Sequence, residues 1–154
     1  MMTLRPAQPD DAPLLFDLIG QLADYEHLRP QMVGRVEDLR RHLFAEPPLA
    51  HAMLAHWDQA PAGFALYFFN YSTFQCRPGL YLEDLYVRPE YRSRGIGRAL
   101  LSALEQRARE LQCGRFEWAV LNWNQPAIDF YQRFGARPAS DWILYRKDLL
   151  EVPS

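Results

Sequence analysis

Two rhythms of apolar residues alternate along this chain, and the changes between them outline its elements. A short extended stretch at residues 3–7 gives way to helical spacing at Leu14, Leu15, Leu18, Ile19 and Leu22. Asp10 and Asp11 open that helix, and Pro13 sits in its first turn, where a missing N–H costs little. It frays near Tyr25, Glu26 and His27, ahead of Pro30. A shorter helix is predicted over 36–45, closed by Pro47 and Pro48. Residues 50–57 and 64–71 read as an antiparallel hairpin about a turn at 58–63. A loop at 72–78 leads to a strand at 81–87, rich in aromatic and branched residues and stopped by Arg88-Pro89. Helical spacing returns at Ile96, Leu100, Leu101 and Leu104 and stops at Cys113-Gly114. The strand predicted over 115–121 puts Phe116, Trp118 and Val120 on one face, with Glu117, Ala119 and Leu121 on the other. A turn at 122–125 opens a helix carrying Ile128, Tyr131 and Phe134, which ends at Gly135, and 142–147 reads as a last strand. The order β-α-α-β-β-β-α-β-α-β fits an α+β domain with a mixed, mostly antiparallel sheet flanked by helices.

Composition narrows the class of function. The chain's 154 residues suit one domain, placed at 1–150, with 151–154 as a loose tail. A net charge of −2 gives no general attraction to nucleic acid or anionic membrane, so neither is expected as a partner. No stretch approaches the roughly 18 apolar residues of a membrane span. Cys76 and Cys113 make neither a disulfide framework nor a zinc spacing, and read as reduced thiols of a cytoplasmic protein. His51 and His56 fall on opposite faces of one strand, and no metal site is expected.

The distinctive chemistry lies between the 81–87 strand and the helix after it. Arg92-Ser93-Arg94-Gly95-Ile96-Gly97-Arg98 is a basic loop with two glycines that runs into a helix start. Backbone amides there, bare at the glycines and flanked by arginines, form a cradle for a phosphate or pyrophosphate. A Walker loop needs Gly-Lys-Ser/Thr, which is missing, and a dinucleotide fingerprint needs a third glycine where Leu100 stands.

The pattern Arg-x-x-Gly-x-Gly over 92–97, with the later run Trp123-Asn124-Gln125-Pro126-Ala127-Ile128-Asp129-Phe130-Tyr131, resembles the GNAT superfamily of N-acetyltransferases. Within it, the chain is similar to the spermidine/spermine (diamine) and thialysine N-acetyltransferase branch. The resemblance implies the GNAT fold, splayed between the central strand and the 115–121 strand, and acetyl-CoA as co-substrate. Its pyrophosphate would sit on Arg92, Ser93, Arg94, Gly95, Ile96, Gly97 and Arg98. Leu85, Tyr86 and Val87 would line the pantetheine arm, with the Leu85 amide facing the acetyl carbonyl from a strand bulge. Asn124, Pro126 and Ala127 would complete that wall. Tyr131 would protonate the departing thiolate, and Glu83 would bind the amine and take its proton, directly or through water.

Acetyl transfer to an amine needs a proton acceptor, an oxyanion donor and support for the leaving thiolate. No cysteine or serine stands in a nucleophile setting, so direct attack in a ternary complex is expected. Cys113, at a helix end, meets the wrong end of the dipole for a thiolate. Tyr25, Glu26, Glu83, Asp84 and Glu117 could form an acidic, aromatic mouth for a small cation: a polyamine, a diamine, lysine or thialysine. A homodimer is expected from the resemblance. Two other readings stay open: an acyl-CoA sensor without turnover, and an acetyltransferase for a protein or peptide amine.

Overall fold

In the computed structural model, which describes residues 1–153, five strands form one sheet in the order β1-β2-β3-β4-β5. The strands are β1 (Met2–Pro6), β2 (His51–Trp57), β3 (Ala60–Ser72), β4 (Arg77–Val87) and β5 (Arg115–Trp118). The helices are α1 (Ala12–Tyr25), α2 (Val36–Leu43), α3 (Ile96–Glu110) and α4 (Gln125–Arg133). Pairing is antiparallel from β1 to β4 and parallel between β4 and β5. A parallel neighbour needs a crossover, and α3 is that crossover. This is the GNAT fold implied by the sequence.

Each sheet face has its own core. Ile96, Leu100, Leu101, Leu104 and Ala108 of α3 are buried against Tyr67, Leu80 and Leu82. On the other face Leu15, Leu18 and Leu22 of α1, with Leu43 of α2, pack on Leu54, Phe64, Leu66 and Tyr86. The period-3.6 stripes predicted this arrangement. Asp11 holds the approach to α1: it accepts two bonds from Arg5 (2.7 and 2.9 Å) and one from the Gln8 amide (2.7 Å).

Several boundaries differ from expectation. β3 and β4 are longer than predicted and leave only residues 73–76 as their turn. In β4 the register slips: Leu66 faces Asp84 while Tyr67 faces Leu82, so Glu83 is an extra, bulged residue. β5 ends at Trp118 rather than residue 121, because the β4–β5 ladder stops at Leu82↔Trp118. The strand expected at 142–147 does not form. Those residues have no regular secondary structure, and their only described main-chain bond is a turn from the Trp142 amide to the Ala139 carbonyl (3.2 Å). Among the described residues this segment pairs with no strand. Residues 151–153 are likewise without regular structure, and Ser154 lies outside the described residues. Cys76 and Cys113 are free thiols, and among the described residues no helix is long and apolar enough to cross a membrane.

Leu104 is fully buried between α3 and the sheet. Leu104→Ala is expected to lower unfolding free energy by about 2–5 kcal/mol, the range for a buried leucine that leaves a cavity. Exposed Glu110→Ala should change it by under about 0.5 kcal/mol. Urea denaturation of the two variants checks the ranking.

Candidate active site

The end of the β4–β5 ladder creates the site. Beyond Leu82 and Trp118 the two strands diverge, so residues 83–87 have a neighbour only on the β3 side. Main-chain groups on the open side need a partner. The gap is a cleft of about 260 Å³, floored by Glu83, Asp84, Leu85, Tyr86 and Val87 and walled by Trp118, Asn124 and Tyr131. An extended ligand arm could add to β4 there as a strand would.

At the mouth of the cleft lies the basic loop. Ser93 (φ 64) and Gly95 (φ 80) both adopt left-handed backbone. Such turns aim successive amides to one side, which suits an anion. The first α3 bond runs from the Ala99 amide to the Gly95 carbonyl (2.9 Å), so the amides of Gly97 and Arg98 open out of the helix start. A side chain on Gly95 would meet nothing within 4 Å; it is the positive φ that calls for glycine, and the backbone lies open to a phosphate. Ile96 differs from expectation in one respect: its side chain is buried in the core, leaving only its main chain for a ligand. The three arginines each rest on aromatic rings. Arg92 lies 5.1 Å over Tyr25 and 5.7 Å over Tyr86, Arg94 lies 5.0 Å over Trp57, and Arg98 lies 5.6 Å over Phe134. Arg92 also donates to the Val87 carbonyl (3.0 Å), which pins the loop to the end of β4. These residues and the open β4 edge fit a coenzyme A pyrophosphate and pantetheine.

Across the cleft, Asn124 caps α4. It is buried, accepts from the Ala127 amide (3.4 Å), and also accepts from the Tyr25 hydroxyl (3.2 Å). The end of α1 thereby closes on the start of α4, helped by Trp123 beside both Tyr25 and His27 at 6.2 and 5.6 Å between ring centroids. Sequence reasoning missed this clasp: nothing in one chain pairs positions 99 residues apart. Trp118 had only its alternation as a signal; here its ring lies 5.1 Å from Tyr131.

The acids divide in a way the sequence did not show. Glu83 is exposed at the rim, as the bulged residue. Asp84 projects inward on the α1 side, where burial first, then Glu83 and Glu26, push its carboxyl up to about 7. Burial also raises Glu26. Neither Asp84 nor Glu26 has an ion-pair partner among the described residues. Glu117 is not brought to this cleft. It pairs with Arg115 (3.3 Å) and lines a separate groove outside β5. Tyr131 does line the cleft, and burial, with Glu26 and Tyr25 nearby, pushes its phenol up to about 12.

Comparison with known proteins agrees with this geometry. Residues 21–136 match the family described as Acetyltransferase (GNAT) family. The chain is 38% identical to thialysine N-epsilon-acetyltransferase of Sus scrofa, over 93% of this chain and 90% of that protein. It is 44% identical to an L-ornithine N5-acetyltransferase of Arabidopsis thaliana, over 93% and 82% of the two chains. The solved integron cassette protein of V. cholerae superposes with a TM-score of 0.79 at 22% identity, covering 96% of this chain and 92% of that one, which shows the shared fold. The split sheet, the amide-rich basic loop and these matches place the chain in the GNAT family, as an acetyl-CoA-dependent N-acetyltransferase.

Proposed function

We propose that the acceptor is a small molecule bearing a primary ammonium, of the diamine, polyamine, lysine or thialysine class. The observation that carries this reading is the pair of unpaired acids, Asp84 and Glu26, set beside Tyr131 in the cleft. Two carboxyls with no cation partner, in a partly dry site, favour a ligand that supplies one. Relatives named for thialysine and L-ornithine acetylation have acceptors with such amines.

The proposed reaction is direct attack. The acetyl-CoA pyrophosphate rests on the amides of residues 93–98, and its pantetheine arm lies along the open side of β4. Asp84, ionised above about pH 7, takes one proton from the ammonium; Glu83, expected from the resemblance to do so, stands at the rim and steers the cation. The free amine adds to the thioester carbonyl, whose developing oxyanion receives the Leu85 amide. Collapse breaks the C–S bond; the nitrogen loses its second proton, the thiolate gains one, and the net release is one proton. Magnitudes limit what Tyr131 does. A phenol near 12 stays protonated, and full transfer to a thiol near about 8.5 runs uphill by several pKa units. Tyr131 therefore donates a hydrogen bond to the leaving sulfur, and the sulfur's lasting proton comes from the amine or solvent. The active unit is a homodimer.

Thiol release from acetyl-CoA with spermidine, putrescine, lysine, thialysine, L-ornithine, an aminoglycoside and a basic peptide tests the acceptor class. Turnover with one of the small diamines or amino acids is expected; turnover with the peptide alone would transfer the reading to protein amines. Coenzyme A binding without turnover of any acceptor would point to a sensor. Tyr131→Phe should slow turnover about 10–100-fold, a hydrogen-bond loss of about 1.5–3 kcal/mol, with coenzyme A affinity intact.

Asp84→Asn carries two expected outcomes. The acid limb of kcat/KM, falling as pH drops through about 7, should vanish along with roughly 10²–10⁴ of the rate. Thermal stability above pH 7 should rise. The folded-state pKa lies above the unfolded value of 3.8, so the native state loses stability as pH climbs between them, and the uncharged amide escapes that loss. A pH–rate profile and thermal melts at pH 5 and pH 8 check both.

A further inference from the structure

Three hollows meet at one side chain. Trp118 lines the cleft of about 260 Å³ on the open side of β4, the groove of about 530 Å³ between β5 and α4, and a third hollow of about 240 Å³ by the end of α3. Among the described residues it alone lines all three. It is also the last residue of β5, opposite Leu82 in the final pair of the ladder, so the cleft ends where its indole stands. Two aromatic contacts hold that ring: Phe116, edge to face at 4.8 Å between centroids, and Tyr131 at 5.1 Å. Pairs at such separations attract beyond their burial, which makes the indole a fixed wall.

That wall stands beside the place of the acyl group. The inference rests on the proposed course of the cofactor, with its pyrophosphate on residues 92–98 and its pantetheine arm running down β4 from Val87. The thioester carbonyl then meets the Leu85 amide, and its sulfur meets Tyr131. The acyl carbon is one bond from that sulfur, and a longer chain has two ways to continue. Toward α1 stand Asp84 and Glu26. An apolar chain there would desolvate two carboxyls without pairing them, and would block the amine. Toward the closed end of the cleft stand Leu82, itself buried in the core, and Trp118. Added methylenes therefore have only the second direction, and the indole occupies it.

We infer that Trp118 sets the length of acyl group that the cleft admits: acetyl-CoA fits above the indole, and longer acyl-CoA thioesters are refused. Overfilling a packed apolar site is costly even by one methylene. What makes the limit the property of one residue is the space behind it. The far side of the indole borders hollows rather than packed core, so a smaller side chain at 118 joins the cleft to that space. Val120 and Tyr131 also lie between the cleft and the outer groove, but neither borders the third hollow, and Tyr131 is engaged with the sulfur.

Calorimetric titration of the full chain with coenzyme A, acetyl-CoA, butyryl-CoA and hexanoyl-CoA tests this without any acceptor. The wild-type protein should bind coenzyme A and acetyl-CoA alike, and butyryl-CoA at least about tenfold more weakly. In Trp118→Ala the gap should close and hexanoyl-CoA should bind at least as tightly as acetyl-CoA, because each methylene entering an apolar space gains about fourfold. Coenzyme A itself should bind as before. Trp118→Phe keeps an aromatic ring in the stack and should relax the limit in the same direction; it decides the matter should the alanine variant fail to fold. Equal wild-type affinity for acetyl-CoA and butyryl-CoA would overturn the inference, and so would a limit that the folded variants retain. Hydrogen exchange of residues 83–87 separates the two levels of the account. Protection by coenzyme A with an unmoved limit removes the role of Trp118 alone, whereas no protection removes the path of the pantetheine arm beneath it.

Discussion

Main-chain hydrogen bonding that stops one residue short of a bulge governs this molecule. β4 and β5 pair as far as Leu82 and Trp118, and the next residue of β4, Glu83, is surplus to the β3 register. An unpaired amide in a dry setting is costly, so strands rarely part without something to fill the gap. Here α3 packs on the sheet beneath the gap. Its buried stripe is anchored on Leu80 and Leu82, below the split, and the start of α3 carries the basic loop at the upper end of the cleft. Pantetheine amides and a pyrophosphate are the chemical complement of that opening.

The same split decides which acid is useful. A regular strand would send Glu83 and Asp84 to opposite faces with equal standing. The bulge leaves Glu83 at the rim and turns Asp84 toward the end of α1, where Glu26 waits. Burial without a cation then holds Asp84 near neutrality, where a carboxyl can accept a proton at working pH. The cost is carried by the fold as an ionisation it would rather avoid, a familiar opposition between site chemistry and stability. Tyr25 joins this arrangement to α4 through Asn124, so the end of α1, the wall of the cleft and the α4 cap share one hydrogen-bonded contact.

Much of this was legible in the sequence because the signals were periodic or local. The stripes of α1 and α3, the Gly95-Ile96-Gly97 helix start and the Asn124 cap with Pro126 behind it each declare themselves within a few residues. The bulge at Glu83, the early end of β5 and the Tyr25–Asn124 bond did not, because each depends on what lies across the sheet or across the chain. Glu117 was assigned to the mouth on its charge, yet strand alternation and Arg115 hold it outside. The 142–147 segment has the composition of a strand, yet among the described residues it pairs with no strand and its large apolar side chains stand exposed.

The central claim is that the open side of β4 above Leu82 is the cofactor's binding edge. Hydrogen exchange of residues 83–87, with and without coenzyme A, tests it most directly. The account predicts that amides here, the Leu85 and Val87 amides among them, exchange readily in the free protein and become protected on binding, while residues 79–82 in the intact ladder barely change. Strong protection of 83–87 before ligand is added, or no change on saturation with coenzyme A, would contradict it.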